Sequence, residues 1–492
     1  MRPILPLLAA TALSACSLAP TYERPQTPVP LSWPAGDAYL RQTEATLPAV
    51  GYRDIFRDPR LQAIIERALA NNRDLRLAAA NIAGARGQYR VQRSELLPTV
   101  DASGNATVAR NRGVGGANPG GASGGGVNDS YSISGGVTAF ELDLFGRIRS
   151  LSRAELNEYF ATEAAARATR LALVGDIGDA WLTYAADRSL LLIAEQTARN
   201  AAESVRLTGV RLQGGIAPRT DLRQAELVQA QANADVARSR TALAQDVNLL
   251  QLLVGAPVEP ALLPASVEEA VPTLSELPAG LDSGVLLRRP DVVQAEYMLQ
   301  AANARIGAAR AAFFPRISLT GIAGLASGAL GSLFSDNAFN WNASAGAGVP
   351  IFDGGANRGN LLQTRARRDA ALANYERTIQ VAFREVSDAL ARRGTIADQE
   401  RAQRQLVEAA SDNYRLANMR YRGGIDTFLQ SLDAQRSLYS AQRSEVATRL
   451  ERGTNLVDLY RSLGGDALIE VTATGPRPLS PEPTATPTPR ER

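Results

Sequence analysis

The sequence has 492 residues, 45% of them hydrophobic and 5% aromatic, and its formal net charge at pH 7 is +3. This length allows two or three domains, and the near balance of charge gives little support to nucleic-acid binding. Histidine and lysine are absent, which excludes Ser-His-Asp and Cys-His catalysis, imidazole metal sites and Walker-type phosphate loops. We expect no cofactor, no metal and no enzymatic activity, although a hydrolase based on Asp or Glu is not among the excluded classes.

The N-terminus is predicted to be a bacterial lipoprotein signal. Arg2 precedes an apolar stretch, Ile4 to Leu13, and small residues stand before the single cysteine, Cys16. This predicts a signal peptide over 1–15 and a lipidated lead over 16–58. Ser17 rather than an aspartate follows, which favours the outer membrane by analogy with bacterial sorting. An unlipidated cysteine in an ordinary signal peptide is the alternative.

Four strands are predicted, in two pairs. Each pair follows a proline that ends a short helix, Pro98 or Pro315, and apolar and polar side chains alternate over about 9–11 residues. A glycine-rich loop, predicted to be mobile, occupies residues 113–126. A soluble two-hairpin sheet would show the same alternation. The predicted strands cover residues of about 99–110, 130–141, 316–326 and 339–350.

Two long helical hairpins follow the two strand pairs, at about 152–254 and 357–463. Both turns contain Arg-x-x-Gly-Gly-Ile, and the paired glycines are expected to supply the positive φ that ends a helix. Thr427 and Gln430 are predicted to form a capping box at the start of the last helix. The chain therefore divides into a first repeat over 59–255, a Pro-rich linker over 256–290, a second repeat over 291–465, and a tail over 466–492 that is disordered from about 476.

Membrane crossing would have to use the strands, because no stretch after the signal reaches about 18 apolar residues. Strands in hydrocarbon must close into a barrel, and four cannot do so. Two copies would give about eight strands and a filled interior, whereas three would give about twelve and an open bore. A conduit therefore favours the trimer.

The chain resembles the TolC-like outer-membrane factors, specifically the NodT-type lipoproteins of resistance-nodulation-division efflux systems. The resemblance covers nearly the whole chain and rests on motifs in order, among them "RRPDVVQAEYMLQAANARIGAARAAFFPRISLTG", "FELDLFGRIR", "VPIFDGGANRG" and "TNLVDLYRSLGG". It implies a mainly α fold with a β-barrel part, in which two repeats of helix, strand, strand, long helix and long helix form a homotrimer. That trimer would have a 12-stranded transmembrane barrel continued by a periplasmic α-helical barrel.

The resemblance also implies partners and site residues. A periplasmic adaptor would dock on the turns, an inner-membrane resistance-nodulation-division transporter would deliver substrate, and acylated Cys16 would enter outer-membrane lipid. The docking positions would be Gly214, Gly215 and Ile216 with Gly423, Gly424 and Ile425. The gate or lumen ring would comprise Asp221, Tyr421, Arg422, Asp426 and Asp433.

The gate region departs from the family pattern at two positions. Asp426 stands where the founding member has arginine, and Gln430 stands where it has a second ring carboxylate. Asp426 or Asp221 could instead cap the helix that follows its turn. An inward Asp433 would become three close charges in a trimer, which would favour cations.

These features predict a passive efflux exit duct in the outer membrane of a Gram-negative bacterium. The outer-membrane component of type I protein secretion is the nearest alternative. A non-conducting coiled-coil lipoprotein would explain the helices and Cys16 but not the strands. A periplasmic hydrolase would need carboxylates that converge on a pocket, whereas those of this chain are scattered at helical spacing.

Overall fold

A computed structural model describes residues 18–34, 36–39, 51–110, 127–273, 283–465, 469–472 and 475–478 of the chain. The predicted signal peptide, Cys16 and the glycine-rich stretch 113–126 lie outside the described residues. The described residues within 1–23, 82–161 and 297–373 form one compact unit, and those within 24–81, 162–296 and 374–492 form a second.

Helices and strands follow the order that the two repeats predict. The helices are α1 (Tyr52–Ile55), α2 (Pro59–Asn71), α3 (Arg73–Ser94), α4 (Arg147–Gln213), α5 (Arg219–Val254), α6 (Val267–Ala270), α7 (Pro290–Ala311), α8 (Ala356–Arg422) and α9 (Phe428–Ser462). The strands are β1 (Asp101–Arg110), β2 (Val127–Leu142), β3 (Arg316–Ser327), β4 (Phe339–Gly348), β5 (Ile469–Thr472) and β6 (Gly475–Pro478). Among the described residues, no helix combines the length and the apolar character needed to cross a bilayer.

The first unit contains a four-stranded antiparallel sheet in the order β1-β2-β3-β4. Pro98 and Pro315 stand between helix and strand in the two repeats, where a residue without a backbone N–H stops helical bonding. Strand β4 ends at Gly348, which pairs with Arg316, the first residue of β3. The central strands β2 and β3 pair Ile133 with Leu325, and the register shifts once between Val137 and Phe140.

The sheet has two open edges within the part of the chain that the structure describes. Strand β1 pairs only with β2, and β4 pairs only with β3. Every residue of β4 is exposed. The two short helices that precede the strand pairs also differ, because α3 has no buried residue whereas its aligned counterpart α7 is largely buried.

The second unit contains residues 162–254 and 374–462 of the two helical hairpins, α4 with α5 and α8 with α9. Its main hydrophobic core surrounds Trp181, which is fully buried and donates from Nε1 to the carbonyl of Leu262 at 3.1 Å. Phe56 and Tyr460 meet edge to face in the same core, with ring centroids 5.8 Å apart. Residues from α1, α2 and the linker thus cover the middle of the long helices.

The lead before the first repeat packs as an extended segment. Arg24 donates from Nε and Nη2 to the two carboxylate oxygens of Glu296, at 2.9 and 3.0 Å. The Glu296 side chain is 0% exposed and that of Arg24 is 12% exposed. Trp33 then stacks on Phe383 of α8 with ring centroids 4.9 Å apart. The lead is therefore fixed to the second unit by a buried ion pair and an aromatic contact.

Two predicted boundaries are wrong. Helix α4 begins at Arg147 rather than near 152, because Asp143 accepts hydrogen bonds from the backbone N–H groups of Ile148 and Arg149. The tail is not disordered from 476, since residues 475–478 form strand β6 and pair with β5. The last predicted residues, 479–492, lie outside the described chain.

Candidate functional site

Both hairpin turns end their first helix in the same way. In the first turn, the N–H of Gly215 bonds to the carbonyl of Leu212 at 3.0 Å, and the N–H of Ile216 bonds to that of Arg211 at 2.9 Å. In the second turn, Gly424 and Ile425 make the equivalent bonds to Tyr421 and Arg420, at 3.0 and 2.9 Å. This pair of bonds is the Schellman motif, which satisfies carbonyls left open at the end of a helix.

Only one glycine in each turn adopts a left-handed conformation. Gly215 has φ +73° and Gly424 has φ +72°. Gly214 and Gly423 do not have positive φ, so the prediction that both members of a pair supply it is wrong. The Schellman motif needs a left-handed residue only at its C′ position, which the second glycine occupies.

The isoleucine after each glycine pair is exposed. Ile216 is 76% exposed and Ile425 is 67% exposed. In a Schellman motif this residue often packs against an apolar side chain at the C3 position, but C3 is an arginine in both turns of this chain. Each turn therefore presents one uncovered apolar side chain to its surroundings.

Tyr421 lies between the two hairpins. Its side chain is 4% exposed, and its hydroxyl is 3.2 Å from Oγ1 of Thr208, which is fully buried near the end of α4. Its ring lies 5.3 Å from the ring of Phe428, and Ala225 and Leu432 complete the cluster. The structure gives no hydrogen bond between Tyr421 and the predicted gate residue Asp221.

Arg211 contacts the second hairpin at two points. Its guanidinium carbon lies 4.4 Å from the centroid of the Tyr421 ring, within the range of a cation–π interaction. Its Nη2 also donates to the carbonyl of Arg422 at 3.0 Å, at the last residue of α8. The side chain of Arg422 itself is exposed.

Asp426 pairs with Arg420 across the second turn. The guanidinium donates from Nε to Oδ2 at 2.5 Å and from Nη2 to Oδ1 at 3.2 Å. Hydrogen bonding to Arg420 holds the pKa of Asp426 below its usual value. Asp426 therefore does not cap the next helix. Thr427 occupies the N-cap position without a side-chain bond, so the predicted capping box with Gln430 is also wrong.

The remaining predicted carboxylates lie apart from the Tyr421 cluster. Asp221 is in the first turn of α5, whose N-cap is Pro218, so Asp221 does not cap it. A negative charge there still interacts favourably with the helix dipole. Asp433 is exposed on α9, although buried residues stand directly before and after it in the helix, among them Leu432 and Ala434. The described residues thus do not bring Asp221, Asp426 and Asp433 into one hydrogen-bonded group.

Two acidic groups on the long helices, away from the hairpin turns, have raised pKa values that the sequence did not indicate. Burial, and then the facing carboxyl of Asp187, raise the pKa of Asp246 to about 6. Burial raises the pKa of Asp179 to about 6, opposed by Arg461 and aided by Asp458. No group of three or more potential metal ligands occurs among the described residues. In a sequence, aspartates at helical spacing are typical of a solvent-exposed helix face. Nothing in the pattern therefore indicated that Asp179 and Asp246 are partly buried.

The repeat alignment contained a signal for the missed turn residues. Arg211 and Arg420 occupy equivalent positions in the two Arg-x-x-Gly-Gly-Ile motifs, yet only the second turn has an acid, Asp426, where the first has Ala217. An arginine without a carboxylate in its own turn can bond to groups outside that turn. That reasoning would have singled out Arg211 but not its partner.

Known proteins resemble the chain along most of its length. The family model described as outer membrane efflux protein matches residues 64–256 and 282–465. Toluene efflux pump outer membrane protein TtgC of Pseudomonas putida is 45% identical over 462 residues, which cover 93% of this chain and 94% of TtgC. Among solved structures, CusC has a TM-score of 0.81 at 37% identity, and the open-state MtrE outer membrane channel of Neisseria gonorrhoeae has 0.80 at 35%. These alignments cover 92% of this chain, with 100% of CusC and 99% of MtrE.

Proposed function

Because this chain belongs to the outer membrane efflux protein family, we propose that it is the passive, trimeric exit duct of an efflux pump for drugs or other toxic small molecules. Its place as an outer-membrane pump component follows from the family. The trimer, the cargo, the lipid anchor and the partners are the parts that we propose. The observation that carries the proposal is the sheet with two open edges.

An open edge is costly in a membrane. Each unpaired N–H or C=O in hydrocarbon costs several kcal/mol, so β1 and β4 need strand partners. In a trimer, β4 of one copy pairs with β1 of the next, and three sheets close into twelve strands. Two copies would close about eight strands, whose interior side chains would fill the bore.

The contrast between α3 and α7 supports the same assembly. These helices begin the two repeats and align without a gap, from Asp74 with Asp291 to Pro98 with Pro315. Helix α7 is buried inside its own subunit, whereas α3 has no buried residue. A neighbouring copy would cover α3 as the first repeat covers α7. The contact between two neighbouring copies would then resemble the contact between the first and second repeats within one subunit.

This equivalence predicts the strand register between copies. Asp101, which pairs with Gly136, aligns with Ser318, which pairs with Gly346, so β1 corresponds to β3 and β2 to β4. Inside the subunit, Gly135 of β2 pairs with Ala323 of β3. The corresponding residues of β4 and β1 are Ala345 and Ala106. We therefore expect Ala345 to face Ala106 of the neighbouring copy.

Engineered cysteines test the assembly and the register together. The double variant Ala345→Cys, Ala106→Cys should form covalent trimers in membranes under mild oxidation, since opposed strand residues have Cα atoms within disulfide range. The pair Ala343→Cys, Ala106→Cys, displaced by two residues, is the matched control. Trimers in the control alone would refute the register, and monomer in both variants that also migrates as a monomer in native gels would refute the trimer.

In this proposal the duct has a lipid-anchored end in the outer membrane and a closable end in the periplasm. The thiol of Cys16 carries the acyl chains that enter outer-membrane lipid. The exposed Ile216 and Ile425, with the glycines before them, form the surface on which a periplasmic adaptor docks, and the adaptor links the duct to an inner-membrane resistance-nodulation-division transporter. Tyr421, Arg422, Asp221, Asp426 and Asp433 line or set the closable end. The solvent-exposed apolar tip supports this assignment.

Cargo and conduction need a cellular and an electrical test. Deleting the gene should sensitise cells to organic drugs or solvents, which agrees with the toluene efflux named for TtgC. Purified protein should conduct ions in planar bilayers. Unchanged drug sensitivity together with a lost secreted protein would instead assign the channel to type I protein secretion.

A further inference from the structure

Two equivalent arginines in the hairpin turns have different partners. Arg420 pairs with Asp426 inside its own turn, at 2.5 and 3.2 Å. Arg211 has Ala217 at the position of Asp426, and both of its contacts lie on the other hairpin. The first arginine therefore holds one turn together, whereas the second connects two turns.

Arg211 has two partners on the other hairpin, and together they fix the position of its guanidinium group. One is the face of the Tyr421 ring, 4.4 Å away, and the other is the carbonyl of Arg422 at 3.0 Å. That carbonyl belongs to the last turn of α8, where helix carbonyls lack intrahelical donors and the helix dipole attracts a cation. The position of Arg211 is thus fixed relative to both the ring and the end of the helix.

A buried polar contact reinforces the connection. The hydroxyl of Tyr421 and Oγ1 of Thr208 are 3.2 Å apart, and neither side chain is exposed by more than 4%. Thr208 precedes Arg211 by one turn of α4, so both residues contact Tyr421 from the same helix. Separating the hairpins would break the contact between the two hydroxyls and the bond from Arg211 to the carbonyl of Arg422, and the net loss of these bonds opposes separation.

We propose that Arg211 is a positioning residue that latches the two hairpin turns of one subunit together and holds the end of the duct in its narrow state. This inference rests on the proposed channel function. The latch uses a neutral ring and a backbone carbonyl, whereas the pattern of the founding family member would place an arginine at position 426. Opening requires Arg211 to leave the Tyr421 ring while Arg420 and Asp426 keep their own turn intact.

Single-channel recording of the full-length trimer in planar bilayers tests the latch. Arg211→Gln should raise the resting open probability by about 2- to 30-fold, the range that loss of a cation–π contact gives. Arg211→Lys should restore most of the closed state, because it returns a cation to the ring. Arg206→Gln is the matched control, since Arg206 pairs with Glu203 of its own helix.

A double-mutant cycle separates the latch from a general structural effect. If Arg211 acts through the ring, Arg211→Gln should add little to Tyr421→Leu, whereas independent sites would add in full. The latch is refuted if Arg211→Gln gates like Arg206→Gln, if Lys fails to rescue, or if the two effects are additive. If neither the wild type nor Arg211→Gln ever conducts, the channel is refuted instead; faster hydrogen exchange of α4 and α8 in Arg211→Gln would then still show that Arg211 joins the two hairpin turns.

Discussion

The buried ion pair in the N-terminal lead provides the sharpest test of how the chain is held together. Arg24 makes two hydrogen bonds to Glu296, whose side chain has no exposed surface. Arg24→Ala removes the neutralising charge and leaves a carboxylate in a site closed to water. Breaking a buried pair in this way costs about 3–5 kcal/mol. Since about 1.4 kcal/mol is a factor of ten in an equilibrium, local opening should become about two to four orders of magnitude more frequent.

Hydrogen exchange followed by mass spectrometry measures that opening directly, without requiring reversible global unfolding. Amides in residues 24–34 and 290–303 should exchange faster in Arg24→Ala by about that factor. Arg53→Ala is the control, because the Arg53–Glu66 pair is 64% and 51% exposed and is screened by solvent. Adding Glu296→Gln should recover much of the protection, since no charge then remains buried. Equal exchange in Arg24→Ala and Arg53→Ala would refute the reasoning.

Three other substitutions have defined outcomes. Gly424→Ala should destabilise its turn by about 1–2 kcal/mol because φ is positive there, whereas Gly423→Ala should have little effect; equal exchange rates in the turn would contradict this. Folded Asp246 retains a proton that the unfolded chain releases, so hairpin stability should fall as pH rises from about 4 to 6. Asp246→Asn should reduce that dependence in thermal melts, with Asp179 supplying the remainder, and an unchanged pH profile would exclude the carboxyl pair with Asp187. Asp433→Ala should lower cation preference, and unchanged reversal potentials would remove Asp433 from the lumen.

The periodic features of the fold were predictable from sequence. Alternation over about ten residues located each of the four long strands to within three residues at either end, and the glycine pairs located both turns. Such patterns arise because one face of an element is repeatedly in one environment. The short hairpin β5–β6 has only four residues in each strand and lacks a comparable period, so its sequence resembled a disordered tail.

Contacts between hairpins were much less predictable. The position of Asp426 after a turn was compatible with a helix cap, and only the placement of Arg420 favours the ion pair. The burial of Tyr421 depends on how α4 and α8 approach each other, which neither helix encodes alone. The sequence therefore singled out Tyr421 and Asp426 but not Arg211 or Thr208, and tertiary packing determined which of these residues meet.

The divergence of the two turns has a consequence for stoichiometry. Three copies would display six tips of two alternating kinds, one with Ala217 and Pro218 and the other with Asp426 and Thr427. A binding protein with a single mode of engagement would saturate at three molecules per duct. If six copies of the binding protein form a ring on the duct, they must contact neutral and acidic tips alternately. The contact loops of the binding protein must then tolerate both kinds of tip.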